Sequence, residues 1–177
     1  MKQFNLSLIL IVLLLSFIAN YSWADVDEGV RAIGSGDYAK AMKIFKADGS
    51  AVAQLNIGVM YLQGQGVRKD MREANKWFLK AAIRGNTQAQ NNIAYSYLEG
   101  IGIQKDEREA VKWFRKAAEQ GDSQAQANLG GCYLLGRGII IDIQEAKKWF
   151  RKAAEQGNKY GEKGLQMVEE AEKAVKN

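Results

Sequence analysis

The sequence contains no histidine, no proline and a single cysteine, Cys132. Without histidine the chain has no serine–histidine–aspartate triad, no cysteine–histidine pair and no histidine ligand for a metal ion. A lone cysteine forms no disulfide bond within the chain, so the fold must be stable through packing alone. The absence of proline, which breaks helices, suits a protein made of many helices joined by glycine turns.

One long apolar run is present, at the N-terminus, where residues 6–19 are almost uninterrupted. This run is shorter than the roughly 20 residues of a membrane-spanning helix. Lys2 precedes it, and Ser22 and Ala24 place small residues at the −3 and −1 positions of a cleavage site. These features predict a signal peptide over residues 1–24, cleaved near Ala24, which makes the protein periplasmic or secreted. An uncleaved membrane anchor is the alternative.

The tryptophans reveal an internal repeat, because Trp77, Trp113 and Trp149 are each 36 residues apart. The same spacing relates Tyr61, Tyr97 and Tyr133; Asp70, Asp106 and Asp142; and Gly85, Gly121 and Gly157. A fixed period of this length predicts an all-α solenoid made of one repeated supersecondary unit. We divide the chain into repeats 51–86, 87–122 and 123–158, with a degenerate repeat at 25–50 and a polar C-terminal capping helix at 159–177.

Each repeat is predicted to form two helices. The first helix follows a glycine and a capping Asn or Asp, as at Gly85-Asn86, and carries an apolar stripe. A Gly-x-Gly turn ends it. The second helix starts at an aspartate with a glutamate three residues later, as at Asp70 and Glu73, which resembles a capping box. Large aromatic residues and pairs of alanines alternate along its buried face, so neighbouring helices can approach closely.

The pattern resembles the Sel-one-like repeat (SLR) family, a relative of the tetratricopeptide repeat. The third unit carries the resemblance most fully, in the runs Ala125-Gln126-Ala127-Asn128-Leu129-Gly130, Gly136-x-Gly138 and Ala146-x-x-Trp149-Phe150-x-Lys152-Ala153-Ala154. The resemblance implies antiparallel helix hairpins stacked in a right-handed superhelix, with the first helices lining the concave face. It also implies a scaffold that binds other proteins in signalling, envelope assembly or host interaction.

Some exported members of this family have been described as β-lactamases. Those members are rich in cysteine, whereas this chain has only Cys132, at a position that Met60 and Ser96 occupy in the other repeats. This variation favours a packing role for Cys132 over a reactive one. None of the serines after residue 24 begins the Ser-x-x-Lys motif of serine β-lactamases. We therefore predict no enzyme activity, no metal and no cofactor, and a cell-wall or β-lactam hydrolase remains the alternative.

A first candidate binding surface follows from the positions of the first helices that point away from the predicted apolar stripe. These positions differ between repeats, so they are free to specify a partner. They include Val59, Gln63, Tyr95, Glu99 and Leu135. Their mixture of aromatic, apolar and polar side chains suits a protein interface. A solvated face, whose asparagines tie neighbouring repeats together, is the alternative.

A second candidate lies in the third turn, which reads Gly138-Ile139-Ile140-Ile141-Asp142-Ile143. The other two turns share only the first apolar residue, so Ile139 is predicted to be in the core. Ile140, Ile141 and Ile143 replace mostly polar or charged residues. Exposed together they would form an apolar patch, unless the C-terminal helix folds over them.

The predicted function is therefore that of an exported scaffold that binds a partner protein or peptide. It would act as a periplasmic adaptor, as an inhibitor or immunity-type protein, or as a host-interaction factor. The net charge of +5 is spread along the chain and forms no basic patch of the kind that nucleic acid requires. No membrane contact is expected after cleavage. We expect a monomer, and no feature of the sequence determines the oligomeric state.

Overall fold

The computed structural model of the chain describes residues 25–176. The predicted signal peptide over residues 1–24 lies outside them. Between residues 25 and 176 the chain forms nine helices and no strand. They are α1 (residues 25–34), α2 (Tyr38–Asp48), α3 (Ala51–Gln63), α4 (Met71–Ile83), α5 (Thr87–Glu99), α6 (Glu107–Glu119), α7 (Ser123–Leu135), α8 (Ile143–Glu155) and α9 (Lys159–Lys176).

The helices pack in chain order as antiparallel pairs. Helix α3 packs on α4, α5 on α6 and α7 on α8, and each second helix also contacts the first helix of the next pair. Helix α9 takes the place of a further first helix and contacts both α7 and α8. This arrangement confirms the predicted all-α solenoid with a period of 36 residues.

The first helix of each pair is capped as its sequence predicts. Ser50, Asn86 and Asp122 accept a hydrogen bond from the backbone N–H three residues later, at 2.7–3.1 Å. The other end stops at a left-handed glycine, Gly64, Gly100 or Gly136. Both termini therefore satisfy backbone groups that a bare helix end leaves unpaired.

At the start of the second helix, only one of the two hydrogen bonds of the predicted capping box forms. Asp70 accepts a hydrogen bond from the N–H of Glu73, as the pattern requires. The return bond is absent, because the N–H of Asp70 donates to the carbonyl of Tyr61 at 3.0 Å. Glu73 instead forms an ion pair with Lys76 one turn along the helix. The same arrangement recurs at Asp106 and Asp142, so the tyrosine carbonyl of the preceding helix provides the second link.

In the first and third repeats, a phenylalanine of the second helix packs against a glycine of the first helix. A Cβ added at Gly58 would lie 2.5 Å from Cε1 of Phe78, and one added at Gly130 would lie 2.8 Å from Cδ1 of Phe150. The repeated small residue therefore sets how closely the two helices approach. Larger side chains there would force the helices apart.

The first helices bury more than the single stripe predicted for them. The stripe predicted for α3 comprises Ala53, Ile57, Gly58, Tyr61 and Leu62. Leu55 and Met60 lie outside it and are nonetheless buried. Val59, which was expected to point away from the core, is partly buried against it. The expectation was wrong because α3 contacts α2 as well as its pairing partner α4. A helix with two such neighbours buries a wider arc than one resting on a single neighbour.

Buried glutamines join consecutive repeats. Gln90 donates to the carbonyl of Ala82 at the end of the preceding second helix, and it accepts a bond from Gln120 at 2.8 Å. Gln126 makes the matching pair of bonds with Ala118 and Gln156. These links satisfy polar groups at the junctions and so fix the register of one repeat on the next.

The N-terminal pair α1–α2 departs from this pattern. It shares a separate apolar cluster with α3, around the fully buried Phe45. Arg84 stands where the later repeats have a glutamine, and it donates to the carbonyl of Gly49 instead of to Gln54. Within residues 25–176, the buried oxygen of Gln54 has no hydrogen-bond partner. The first junction is therefore linked less completely than the two that follow.

The lysines that recur near the ends of the second helices cover the recurring tryptophans. Lys80 Nζ lies 4.0 Å from the ring centroid of Trp77, and Lys116 Nζ lies 4.2 Å from that of Trp113. Lys152 stacks in the same way on Trp149 at 4.6 Å. Each ammonium group is attracted to the aromatic face, in addition to any favourable interaction with the helix C-terminus.

Candidate functional site

Helices α5, α7 and α9, with part of α4, line a groove of about 970 Å³, which we call the inner groove. Four large apolar or aromatic side chains in it are strongly exposed: Tyr95 (49%), Leu135 (66%), Tyr160 (69%) and Met167 (62%). Uncharged amide side chains line much of the remainder, namely Asn91, Asn92, Gln124 and Asn128. The surface therefore combines apolar contact area with hydrogen-bonding groups.

The amides of the inner groove form a chain of hydrogen bonds across the repeats. Asn128 donates to Asn91 at 2.9 Å, Gln124 donates to Asn128 at 3.4 Å, and Asn158 donates to Gln124 at 3.3 Å. Asn128 thus ties neighbouring repeats together, as the alternative interpretation of these asparagines expected. Asn56 bonds only to the carbonyl of Val52 in its own helix.

An arginine at the edge of the inner groove connects two repeats. The Arg137 guanidinium contacts Glu99 at 2.9 Å, Glu107 at 3.4 Å and the carbonyl of Leu98 at 3.1 Å. The hydrogen bond to Glu99 raises the pKa of Arg137. The pKa of Glu107 is lowered, chiefly by its hydrogen bond with Lys105 and further by Arg137. Glu99, one of the predicted partner-binding residues, is therefore held by an internal ion pair.

A second, smaller groove of about 770 Å³ lies at the C-terminal end of the solenoid, and we call it the end groove. Most of its lining is apolar. The lining residues are Leu134, Leu135, Ile143, Gln144, Met167, Val168, Ala171 and Glu172. Lys147 anchors the α9 wall through an ion pair with Glu172 at 2.5 Å.

The structure distributes the predicted binding residues over several places. Tyr95, Glu99 and Leu135 come together in the inner groove, and Leu135 also meets Ile143 in the end groove. Val59 and Gln63 line neither groove.

The remaining predicted residues lie in the third turn. Ile140 is 87% exposed and Ile141 is 59% exposed, so α9 does not fold over them. Ile139 is partly buried against the core, which confirms its predicted position. Ile141 packs over the turn glycine Gly136 but leaves most of its surface to solvent. The turn therefore carries an exposed apolar pair beside the end groove.

Sequence reasoning missed the contribution of α9. Adding the 36-residue period to the outward positions Gln124, Gly131 and Leu135 gives Tyr160, Met167 and Ala171. All three line one or both grooves. The signal is therefore present in the 36-residue period, but the polar composition of α9 masks its equivalence to a first helix.

The described residues contain little that suggests reaction chemistry. Between residues 25 and 176, no three His, Cys, Asp or Glu residues are grouped so as to hold a metal ion. Cys132 is buried, and that burial raises the pKa of its thiol to about 11. The thiol is therefore protonated at neutral pH and shielded from reagents. No helix among the described residues is both long and apolar enough to cross a bilayer.

Comparison with known proteins identifies the repeat. The Sel1 repeat model matches residues 51–86, 87–122 and 123–158. The chain is 37% identical to a Sel1 repeat protein from Oxalobacter formigenes, with a TM-score of 0.76, over 80% of this chain and 60% of that one. It is 36% identical to c5321, a protective antigen with an SLR fold from uropathogenic Escherichia coli, also with a TM-score of 0.76.

The match to c5321 covers 83% of this chain and 34% of that protein, so the chain spans only part of the length of both structures. No curated protein sequence matches the chain. Three matches to one repeat model, in the same register as three structurally equivalent helix pairs, leave a single assignment. The chain belongs to the Sel1 repeat family.

Proposed function

We propose that this protein is an exported scaffold that binds a partner protein through the inner groove. Sel1 repeats generally mediate protein–protein interactions. The observation that carries the proposal is the set of exposed anchors Tyr95, Leu135, Tyr160 and Met167, aligned along one groove. Aromatic residues and methionine are enriched at the centres of protein interfaces, where they supply most of the binding energy.

The fixed geometry of the groove supports the same proposal. Its amides are already hydrogen-bonded across the repeats, and Arg137 holds two carboxylates of the preceding repeat. A surface held in place in this way loses little conformational entropy when a partner binds. The scaffold therefore acts by presenting a preformed surface rather than by folding around its partner.

Export is part of the proposal and depends on the sequence of residues 1–24. Two versions of the function are compatible with it. In the first, the protein is a periplasmic adaptor or an immunity-type inhibitor. In the second, it is a host-interaction factor, and the likeness to c5321, described as a protective antigen of uropathogenic strains, favours this version.

The proposal does not include an enzymatic role. The chain lacks histidine, and its one cysteine is buried with a raised pKa. Hydrolysis of β-lactam or cell-wall substrates is the competing function. Nitrocefin and purified muropeptides, incubated with the protein, test it directly, and we expect no turnover above the buffer rate. Clear turnover would contradict the proposal of a purely binding protein.

The binding proposal is tested by affinity capture from native cells with a matched pair of variants. Leu135→Lys changes a side chain that is 66% exposed in the inner groove, and Ile83→Lys changes one that is 70% exposed at the end of α4. Because both side chains are exposed, both variants should keep the melting temperature of the wild type.

We expect a partner that wild type and Ile83→Lys capture equally and that Leu135→Lys loses by about tenfold or more. A partner retained by Leu135→Lys and lost by Ile83→Lys would move the binding surface away from the groove. Equal capture by all three proteins would reject the inner groove as the binding site.

A further inference from the structure

The Gly-x-Gly turn of each repeat packs on the first residue of the preceding second helix. A Cβ added at Gly66 would lie 2.4 Å from Cβ of Tyr38, one at Gly102 would lie 2.7 Å from Cβ of Met71, and one at Gly138 would lie 2.1 Å from the carbonyl oxygen of Glu107. The turn thus needs glycine because another backbone occupies the space. We call the surface that receives it, formed by the end of a first helix and the start of the second, the turn-packing site.

The residue between the two glycines matches the chemistry of the site beneath it. In the second repeat, the turn-packing site presents Glu99 and Glu107, and the inserted residue is Arg137, which binds both. In the first repeat, the same two positions hold Gln63 and Met71, and the residue inserted there is Ile101, which lines the inner groove together with Met71 and Leu62. The carbonyl of Ile101 also accepts a hydrogen bond from the buried Asn75 at 2.6 Å. Charge therefore meets charge at one site, and at the other an apolar residue lies with the apolar Met71 and Leu62.

The third repeat has the same site without a turn to cover it. Its residues at the positions of Glu99 and Glu107 are Leu135 and Ile143, which both line the end groove. The next turn would occupy residues 172–174. There, Glu172 and Ala174 replace the two glycines, and α9 continues as an unbroken helix to Lys176. Leu135 remains 66% exposed and Ile143 remains 38% exposed.

We propose that the end groove is a binding site for a glycine-flanked turn of another protein, with an apolar residue at its tip. The covered sites of the first and second repeats show what such a surface accepts, namely a tight turn whose central side chain matches residues beneath it. Leu135 and Ile143 are both apolar, so the matching tip residue is apolar. This inference rests on the proposed binding function and specifies the chemistry of one partner segment.

A second copy of this chain is not the expected occupant. Within residues 25–176, three of the chain's four Gly-x-Gly turns already pack on its own preceding helices. Using one of those three in another molecule would require opening a junction of the solenoid, at the cost of the contacts that the turn makes. The fourth, Gly34-Ser35-Gly36, has the polar Ser35 at its tip, which does not match the apolar Leu135 and Ile143. The occupant is therefore a turn that is free on the surface of its own protein.

The test uses two disulfide-closed peptide loops that differ at one residue. One loop carries Gly-Ile-Gly-Ile, the sequence at Gly100–Ile103, and the other carries Gly-Arg-Gly-Ile, the sequence at Gly136–Ile139. Fluorescence anisotropy of each labelled loop is measured with wild type and with the double variant Leu135→Glu with Ile143→Glu. The double variant recreates the pair of carboxylates that holds Arg137.

We expect wild type to bind the isoleucine loop about tenfold more tightly than the arginine loop, and the double variant to reverse that preference. Circular dichroism melting confirms that the double variant folds, and the single variant Leu135→Glu serves in its place if it does not. An unchanged preference, or no binding of either loop by wild type, would overturn the inference.

The variant Tyr95→Lys separates this inference from the proposed function. It lies in the inner groove and not among the residues of the end groove, so it should keep the loop preference while it weakens capture of the cellular partner. Loss of the loop preference together with weakened capture would reject the inference alone. Intact loop preference with capture unaffected by Tyr95→Lys would reject the inner groove alone.

Discussion

The junction between the second and third repeats and the C-terminal end of the solenoid use the same repeat positions differently. At the junction, Glu99 and Glu107 are bridged by Arg137 from the following turn. At the end, Leu135 and Ile143 occupy those positions, and α9 leaves them partly exposed. At this junction the two positions thus carry a pair that matches the following turn, and at the end of the solenoid the same positions present apolar surface. The difference indicates that the C-terminal end of the solenoid, and not this junction, has apolar surface available for binding.

The largest loss of stability is expected where the third turn lies closest to the preceding second helix, at Gly138. Gly138 has a φ of 70°, and an added Cβ would meet the Glu107 backbone. We expect Gly138→Ala to lower the free energy of unfolding by roughly 3 kcal/mol, from backbone strain and overpacking together.

Gly157→Ala is the matched control for this substitution. Gly157 has a φ of 76°, but an added Cβ there would meet nothing within 4 Å. It should cost roughly 1 kcal/mol from backbone strain alone, measured by urea denaturation. Equal losses in the two variants would show that the turn does not depend on its contact with Glu107.

A smaller loss of stability is expected from removing the positive charge of Arg137, which pairs with Glu99 and Glu107. Arg137→Ala removes two ion pairs and the bond to the Leu98 carbonyl, from a side chain that is 29% exposed. We expect a loss of about 1 kcal/mol, because solvent screens partly exposed pairs. Arg137→Lys should restore only part of it, because lysine cannot bind two carboxylates in the geometry of a guanidinium. Full stability in Arg137→Ala would mean that the pairs contribute nothing to the junction.

The ion pairs at the covered site also predict a change in pH dependence. The pKa of folded Glu107 lies below its ordinary value of 4.5, so its pairing stabilises the fold above that value and is lost as the pH falls through the lowered pKa. Glu107→Gln should therefore reduce the drop in melting temperature between about pH 6 and about pH 3. Glu119→Gln, which changes an exposed glutamate at the end of α6, is the control. A drop as steep in Glu107→Gln as in wild type would contradict this role for Glu107.

The smallest effect on stability is expected at the uncovered end. Ile140→Lys combined with Ile141→Lys changes side chains that are 87% and 59% exposed. We expect the free energy of unfolding to stay within about 0.5 kcal/mol of wild type, while capture of the partner weakens. A loss of several kcal/mol would place the pair in the core, and undiminished capture would exclude it from the interface.

Most of the fold could be predicted from the sequence, because its determinants are local and occur three times. The 36-residue period, the capping residues before each helix and the paired turn glycines each depend on neighbouring residues. The degenerate N-terminal repeat could be recognised in the same way, because Phe45 aligns with Phe78 once three missing residues are allowed for. Phe45 is fully buried, as that alignment requires.

The sites depend on contacts between repeats, which a period does not reveal. Nothing in the sequence around Arg137 shows that it contacts Glu107 and Glu99, which lie 30 and 38 residues earlier in the chain. The stacking of Lys116 on Trp113 was in principle visible from the i, i+3 spacing of the two residues. Val59 was placed wrongly because a helix with neighbours on both sides buries more than one stripe.

Hydrogen–deuterium exchange of the purified complex with its captured partner tests the central claim most directly. The claim is that the partner lies on the inner groove and not on α6, which contributes no residue to the groove. We predict that binding slows exchange in α5, α7 and α9 around Tyr95, Leu135 and Met167, and leaves exchange in α6 unchanged. Protection confined to α6, with none in the inner groove, would contradict the claim.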